Sequence, residues 1–253
     1  MEKEPTFITI LGKAFHILDY LYEIDQPVGV TAISKSCEIP KANTFRILKT
    51  LETLGVIEEK KDGYVLGKKL MTYGNNAANQ NDLVTLAKPY MKQLCEQTNE
   101  TINLGIQYED QVLMMHSELG AKTSLVSRLL PVCPLYCSSI GKLFLANLED
   151  NLIEEYFNSI TPEQRTISTI TTAQQFKKEK DTILKEGCAY DREEYEYGLS
   201  CMSVPIYDRN KKIIAGISLS GPTTRLQVHG FNNLMEQLHN TAKQINHDVE
   251  MFL

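Results

Sequence analysis

The chain predicts an α+β protein of two domains, and three stretches carry that prediction. Val28–Gly67 reads as helix, tight turn, second helix and short charged hairpin, the pattern of a winged helix-turn-helix. Thr101–Ser117 reads as an antiparallel hairpin, alternating apolar and polar residues on either side of Glu109-Asp110-Gln111. Cys201–Gly221 reads as a second hairpin around Asp208–Lys211. With 253 residues there is chain enough for two hydrophobic cores.

The first helix is expected over Ile8–Ile24, with Leu11, Ala14, Phe15, Leu18, Leu21 and Tyr22 as its apolar stripe. Asp25-Gln26-Pro27 ends it. A short helix follows at Val30–Ser36, with Val30 and Ile33 inward. Cys37-Glu38-Ile39 makes the turn, and Pro40 stands where a helix starts without losing a hydrogen bond. The third helix, Lys41–Leu54, is the candidate reading helix. At about 100° per residue, Thr44, Ile47, Leu48, Leu51 and Leu54 share its core face. Ala42, Arg46, Lys49 and Thr53 point away. Phe45 lies on the flank, where it could contact a thymine methyl or pack under the wing, and packing is the expectation. The wing pairs Val56–Glu58 with Tyr64–Leu66 around Lys60-Lys61-Asp62-Gly63, where Asp-Gly is the turn signal, so Lys60 and Lys61 belong at its tip.

Charge supports this reading. The whole chain carries −6, but residues 1–72 hold ten basic and ten acidic side chains. Lys35, Lys41, Arg46 and Lys49 face only Glu38 between residues 35 and 49. Positive charge is thus local to the surface that would enter a groove. Lys41, Ala42, Asn43, Arg46, Lys49, Lys60 and Lys61 are the candidate DNA contacts.

Gly74–Gln80 is polar and reads as a linker, giving domains at 1–72 and 81–253 with 73–80 between them. A helix with Leu83, Leu86, Ala87, Tyr90, Met91 and Leu94 on one face follows, and Pro89 should kink or restart it. In the last strand Ile213, Ala215, Ile217 and Leu219 face one side, and Gly216, Ser218 and Ser220 the other. The small hydroxyl face suits either the wall of a polar pocket or a solvent-exposed sheet. Ser138 or Ser139 can cap a helix running to about Leu148, whose free N–H groups favour an anion. Lys142 on that helix reads as solvated. Helices are also expected at 149–158 and 172–186, with a last one near Phe231–Phe252 whose thin apolar stripe suits packing on one side or against another subunit.

No apolar run approaches the ~20 residues of a membrane helix. The opening MEKEP lacks the basic start of a signal peptide, so the chain is expected in the cytoplasm and off the membrane. Six cysteines without a paired framework or zinc spacing read as ordinary thiols, so no metal or cofactor is expected. A thiol enzyme would use Cys201 with His116 or His229, and a redox sensor would use Cys133 and Cys137. Sequence offers no nucleophile–base motif and no phosphate loop, so the chain reads as a non-enzyme.

Over nearly its whole length the chain resembles the IclR family of bacterial transcriptional regulators. The matching segments are LGKAFHILDYL, VTAISKSCEIPKANTFRILKTLETLGVIE and GYVLG, then IGKLFLA at Ile140–Ala146, EGCAYDREEYEYGLSCMSVPIYD at Glu186–Asp208, and IAGISLSGPTTR at Ile214–Arg225. The resemblance implies a winged helix-turn-helix, a linker helix and a GAF-like α/β effector domain. It also implies a homodimer or homotetramer on operator DNA, acting as repressor or activator under a small effector, often an organic or aromatic acid. Carried over by motif, the effector residues are Ser139, Ile140, Asp191, Cys201, Ser218 and Ser220. The chain departs from the family pattern at Glu38, where glycine is usual, and at Ser139 and Ile140, where smaller residues are usual. Replacing Arg46 with alanine is expected to weaken operator binding by about 1–3 kcal/mol with the fold intact. A titration of operator DNA, with circular dichroism as control, checks this.

Overall fold

The computed structural model describes residues 8–24, 26–79, 82–120 and 132–253. It divides into two compact units, Met1–Ala77 and Ala78–Leu253.

In the first unit α1 (Thr9–Ile24), α2 (Val30–Ser36) and α3 (Lys41–Thr53) precede a hairpin of β1 (Ile57–Lys60) and β2 (Gly63–Leu66). Its core is Ile17, Leu21, Ile33, Ile39, Ile47, Leu48, Leu51, Ile57 and Tyr64, among others. The expected α1 stripe is only partly right. Ile17 and Leu21 are buried, with Ala14 and Leu18 at the edge, while Leu11, Phe15 and Tyr22 are exposed. The helix is apolar on more than one side, so periodicity alone could not choose the side on which α2, α3 and β2 pack.

On α3 the buried set is Thr44, Ile47, Leu48 and Leu51. Thr44 is tolerated there because its Oγ1 donates to the Ile39 carbonyl at 3.1 Å. Leu54 was expected in the core but is half exposed, because the helix ends at Thr53 and the chain turns away at Gly55. Glu38, at φ 55°, occupies the left-handed region that glycine enters freely. The turn keeps this geometry through Ile39 N donating to Ser34 O (3.0 Å) and Ser34 Oγ donating to Ile39 O (2.6 Å).

The hairpin register is Ile57↔Leu66 to Lys60↔Gly63, so Lys61 and Asp62 are the two central residues of the expected Lys60–Gly63 turn. Gly63, at φ 145°, begins the return strand, and a Cβ there would meet the Val28 backbone at 2.4 Å. That closeness lets Val28 and Tyr64 exchange backbone hydrogen bonds of 3.0 and 2.9 Å, tying the wing to the segment before α2. The described part of the segment read as a linker is helical: α4 spans Lys69–Asn79, and Gln80 lies outside the described residues.

The second unit contains α5 (Asp82–Thr98), β3 (Thr101–Tyr108), β4 (Gln111–Glu118), β5 (Val132–Pro134), α6 (Ser139–Ala146), α7 (Asp150–Ser159) and α8 (Ala173–Glu186). There follow β6 (Ala189–Arg192), β7 (Leu199–Tyr207), β8 (Ile213–Pro222), α9 (Thr223–His229) and α10 (Phe231–Phe252). The six strands form one antiparallel sheet in the order β5-β4-β3-β8-β7-β6. α5 runs unbroken through Pro89. α10 buries Leu234, Leu238, Ile245 and Val249 among residues of α5 and the sheet.

Strand alternation separates the two faces of this sheet. Ile102, Leu104, Met202, Val204, Ile217 and Leu219 join the core made with α5 and α10. On the opposite face α6 packs with α7 and α8 through Ile140, Leu143, Phe144, Phe157 and Phe176. Gly105 and Gly216 are paired across β3 and β8, and together they make the seat for α6. A Cβ at Gly216 would lie 2.8 Å from Ile140 Cγ2. Gly216→Ala is therefore expected to lift α6 and destabilise the protein by about 1–3 kcal/mol. Urea unfolding of the variant beside wild type measures it.

Candidate nucleic-acid and effector sites

Lys41, Ala42, Asn43 and Arg46 are exposed on the first turns of α3. Lys49 faces the same way but is already engaged: its Nζ lies 2.8 Å from both Glu52 and Glu59, and 5.8 Å from the ring centres of Phe45 and Tyr64. Lys60 pairs with Glu58 at 2.7 Å and sits in the strand rather than the turn. Among the described residues Lys41, Arg46 and Lys61 form no ion pair. The cations expected to act together thus fall into two groups. Lys49 and Lys60 would have to exchange a carboxylate for a phosphate, a trade that water screening keeps easy at the surface. Phe45 does not pack under the wing. It is half exposed, and Tyr64 fills that position instead.

In the second unit the strand register assembles a polar belt. One row runs Ser117–Asn103–Ser218–Ser203 across β4, β3, β8 and β7, and the next runs Thr101–Ser220–Cys201–Asp191 across β3, β8, β7 and β6. All lie on the face that carries α6, opposite the apolar core. Residues directly opposite across strands share a face, so the pairing alone places them together. Ser117 Oγ donates to Asn103 Oδ1 at 2.8 Å, and Asn103 Nδ2 donates to Ser220 Oγ at 3.2 Å and Ser218 Oγ at 3.4 Å. Ser218 and Ser220 are buried. The open choice between pocket wall and solvated sheet is decided against the solvated sheet.

Asp191, 1% exposed, ends this belt. Its Oδ1 accepts from the backbone N–H of Glu194 at 2.7 Å and of Tyr195 at 3.3 Å. Burial, reinforced by the Glu194 charge, pushes its carboxyl up to about 7 despite these donors and Lys142. Beside it stands a side chain that sequence reading misplaced. Lys142 is 1% exposed, not solvated, and its Nζ meets Glu194 Oε1 at 2.6 Å and Glu179 Oε2 at 2.7 Å. α6 packs against both α8 and β6, so its polar position 142 is enclosed. The loop before α8 is pinned to the same place: Thr166 Oγ1 donates to Glu193 O and Thr169 Oγ1 to Glu194 O, each at 2.6 Å.

At the start of α6, Ser138 is the N-cap, its Oγ accepting from Gly141 N at 3.2 Å, and Ser139 is the first helical residue. Ile140 packs over Gly105 and Gly216 within the core and seats α6 on them. Cys201 lies among the belt residues. Burial and the Asp191 charge hold its thiol well above the ordinary range, and Cys133 and Cys137 are pushed up to about 11 and about 12. Such thiols are poor nucleophiles. His116 sits opposite Leu104 on the apolar side of the sheet, away from Cys201, and binds Glu118 at 2.7 Å. His229 Nδ1 lies 3.8 Å from Glu100. Sequence reading missed Asn103, Thr101 and Glu194. For Asn103 the signal was available, since it alternates with Ile102 and Leu104 in a strand already recognised.

A groove-sized reading helix with a wing, joined in one chain to a sheet domain with a buried polar face, defines a DNA-binding transcriptional regulator controlled by small-molecule effectors. The chain belongs to the IclR family: the IclR helix-turn-helix domain matches residues 11–61 and the C-terminal domain of the bacterial transcriptional regulator IclR matches residues 75–247. It is 32% identical over 248 residues to the HTH-type transcriptional regulator KdgR of Escherichia coli K12, covering 97% of this chain and 94% of that one. It is 27% identical to the HTH-type transcriptional repressor AllR of the same organism, covering 93% and 88%. Among solved structures, the Thermotoga maritima IclR superposes with a TM-score of 0.69 at 29% identity, over 96% of this chain and 99% of that one. These relatives are transcriptional regulators. Among the described residues no helix is long and apolar enough to cross a membrane.

The sign of the Asp191 effect is testable. A carboxyl raised from 3.8 to about 7 in the fold leaves stability full below the unfolded value and erodes it as pH climbs toward 7. Asp191→Asn keeps an acceptor for the two N–H groups and removes the buried charge. It is expected to stabilise by about 2–4 kcal/mol at about pH 8 and by little near pH 4. Denaturant titrations at the two pH values compare the variants.

Proposed function

We propose that the buried polar belt receives a small organic acid, and that its binding changes the affinity of the reading helices for operator DNA. The observation that carries this is the alignment of Asn103, Ser218, Ser220, Cys201 and Asp191 across four neighbouring strands, on the buried face of the sheet. Burying polar groups costs free energy, and a sheet built only to pack α6 would carry apolar residues there. Ser139 at the helix start, with Ser218 and Ser220, supplies donors for the ligand, and Asp191 serves a ligand hydroxyl. Two adjacent carboxylates repel when both are ionised, so the acid group sits away from Asp191.

The reading surface comprises Lys41, Ala42, Asn43, Arg46 and Lys61, with Lys49 and Lys60 joining once their carboxylates are displaced. So few cations in a domain of zero net charge give one copy low affinity. We therefore place two or four copies on the operator, as a cytoplasmic homodimer or homotetramer. A coupling of about 1–3 kcal/mol between the ligand and the spacing of paired readers is enough for a switch.

The test uses full-length protein and DNA selected from a random pool by its affinity for that protein. Small organic and aromatic acids are screened by thermal shift, since a ligand of the native state raises the melting temperature. An acid that stabilises wild type is expected to alter DNA binding and to lose both effects in Ser218→Ala and Ser220→Ala. An active acid indifferent to both substitutions would place the site elsewhere.

A further inference from the structure

We propose that Phe45 determines part of the operator's sequence by seating its ring against the 5-methyl group of thymine in the major groove. This rests on α3 as the reading helix and adds to it a determinant of specificity that uses neither charge nor hydrogen bond.

A single exposed phenyl says little by itself, since apolar atoms make up much of any protein surface. The place of this one says more. Among the described residues of α3 it is the one large apolar side chain left in solvent, at 48% exposure, while Ile47, Leu48 and Leu51 are buried. It stands one turn from Lys41 and one turn from Lys49, so the three share a face of the helix. Arg46 is its neighbour in the chain and is exposed as well. An apolar protein surface laid on the ring would have to bury these cations with it. DNA brings phosphates to the cations and base edges to the ring.

The ring is held out of the wing. Tyr64 is 5% exposed and belongs to the core there. Lys49 Nζ lies 5.8 Å from the ring centres of both Phe45 and Tyr64, and is tied at 2.8 Å to Glu52 and to Glu59 of β1. Folding Phe45 under the wing would displace Tyr64 or break that ionic cluster. The backbone is equally fixed, because the preceding residue, Thr44, is buried and its Oγ1 donates to the Ile39 carbonyl at 3.1 Å. A rigid helix thus presents the ring at a set height among the basic side chains.

The major groove supplies the counterpart. Each base pair shows a distinct edge there, and thymine adds a methyl group to its edge. Contact with that methyl removes apolar surface from water on both partners. Cytosine has no such methyl and brings an amino donor where thymine has a carbonyl. A phenyl in this place therefore favours thymine over the other pyrimidine.

The experiment starts from the best duplex selected out of a random pool by the full-length protein. Each thymine of one half-site is replaced in turn by deoxyuridine, which lacks only the methyl, and affinities are read by fluorescence anisotropy. Wild type is expected to lose about fourfold at one or two of these positions, the factor that corresponds to burying one methylene-sized group. Phe45→Ala is expected to bind the parent duplex more weakly and to be indifferent to the same replacements. Phe45→Leu, still apolar, should keep part of the discrimination, and is read instead if the Ala variant binds too weakly to measure. Arg46→Ala controls for the reading helix and should weaken binding to every duplex. Wild-type affinity in Arg46→Ala would overturn α3 as the reader, and Phe45 with it. A weakened Arg46→Ala, with no methyl-sensitive position in wild type, would overturn the role of Phe45 alone. So would a Phe45→Ala protein that pays the wild-type penalty at each position.

Discussion

The effector domain is organised around an ammonium that water cannot reach. Lys142 lies on α6 with its head between Glu194 and Glu179. Removing the Lys142 ammonium would leave the buried Glu194 carboxylate without compensation, which is far more costly than never having built the pair. The contact fixes more than itself. It sets α6 against α8 and against the loop after β6, and Glu194 cannot move without releasing Asp191, whose carboxylate holds the Glu194 N–H. Thr166 and Thr169 fasten the preceding loop to the same two residues, Glu193 and Glu194. One ion cluster thus positions the end of the polar belt, α6 and the loop before α8.

The sheet makes the second contribution by keeping its two faces chemically apart. The apolar face, closed by α5 and α10, supplies a large hydrophobic core. The α6 face can then hold hydroxyls, an amide, a thiol and a carboxyl at little risk to the fold. The division has a cost at Asp191, where burial holds the carboxyl near neutrality. A residue poised there can donate as well as accept, a useful property opposite ligand hydroxyls. In the DNA-binding unit a comparable economy appears in the wing, where Gly63 lets β2 approach Val28 closely enough to bond it. The wing is therefore part of the domain and not a free flap, and its lysines are presented by a fixed hairpin.

Much of this was readable from residue order. The helices from Val30 to Thr53, both long hairpins and the last helix follow from periodicity and turn chemistry, which are local. The paired faces of β8 were also legible, because alternation requires no partner. The errors share a cause. α1 shows apolar residues on several sides, and only the positions of α2, α3 and β2 select Ile17 over Phe15. Phe45 is left half exposed on α3, while Tyr64 of the wing joins the core. The polar stretch after Tyr73 reads as a linker because Gly74, Asn75 and Asn76 are weak helix formers, and the helix begun at Lys69 carries through them to Asn79.

Sequence by itself determined the two-domain organisation, the reading helix with Arg46 outward, and the hydroxyl face of β8 with Ser218 and Ser220. Each depends on spacing along one element. Only the tertiary structure decided that Lys142 is buried, that Lys49 is held by Glu52 and Glu59, that Ile140 seats a helix on two glycines, and that Asn103 and Asp191 share a face. Those facts concern what lies across a strand pair or beneath a helix, and the neighbours come from residues tens of positions away. Charge makes the difference plain. A lysine's place in a helix predicts which way it points, but whether it meets water or two carboxylates depends on what else has folded there.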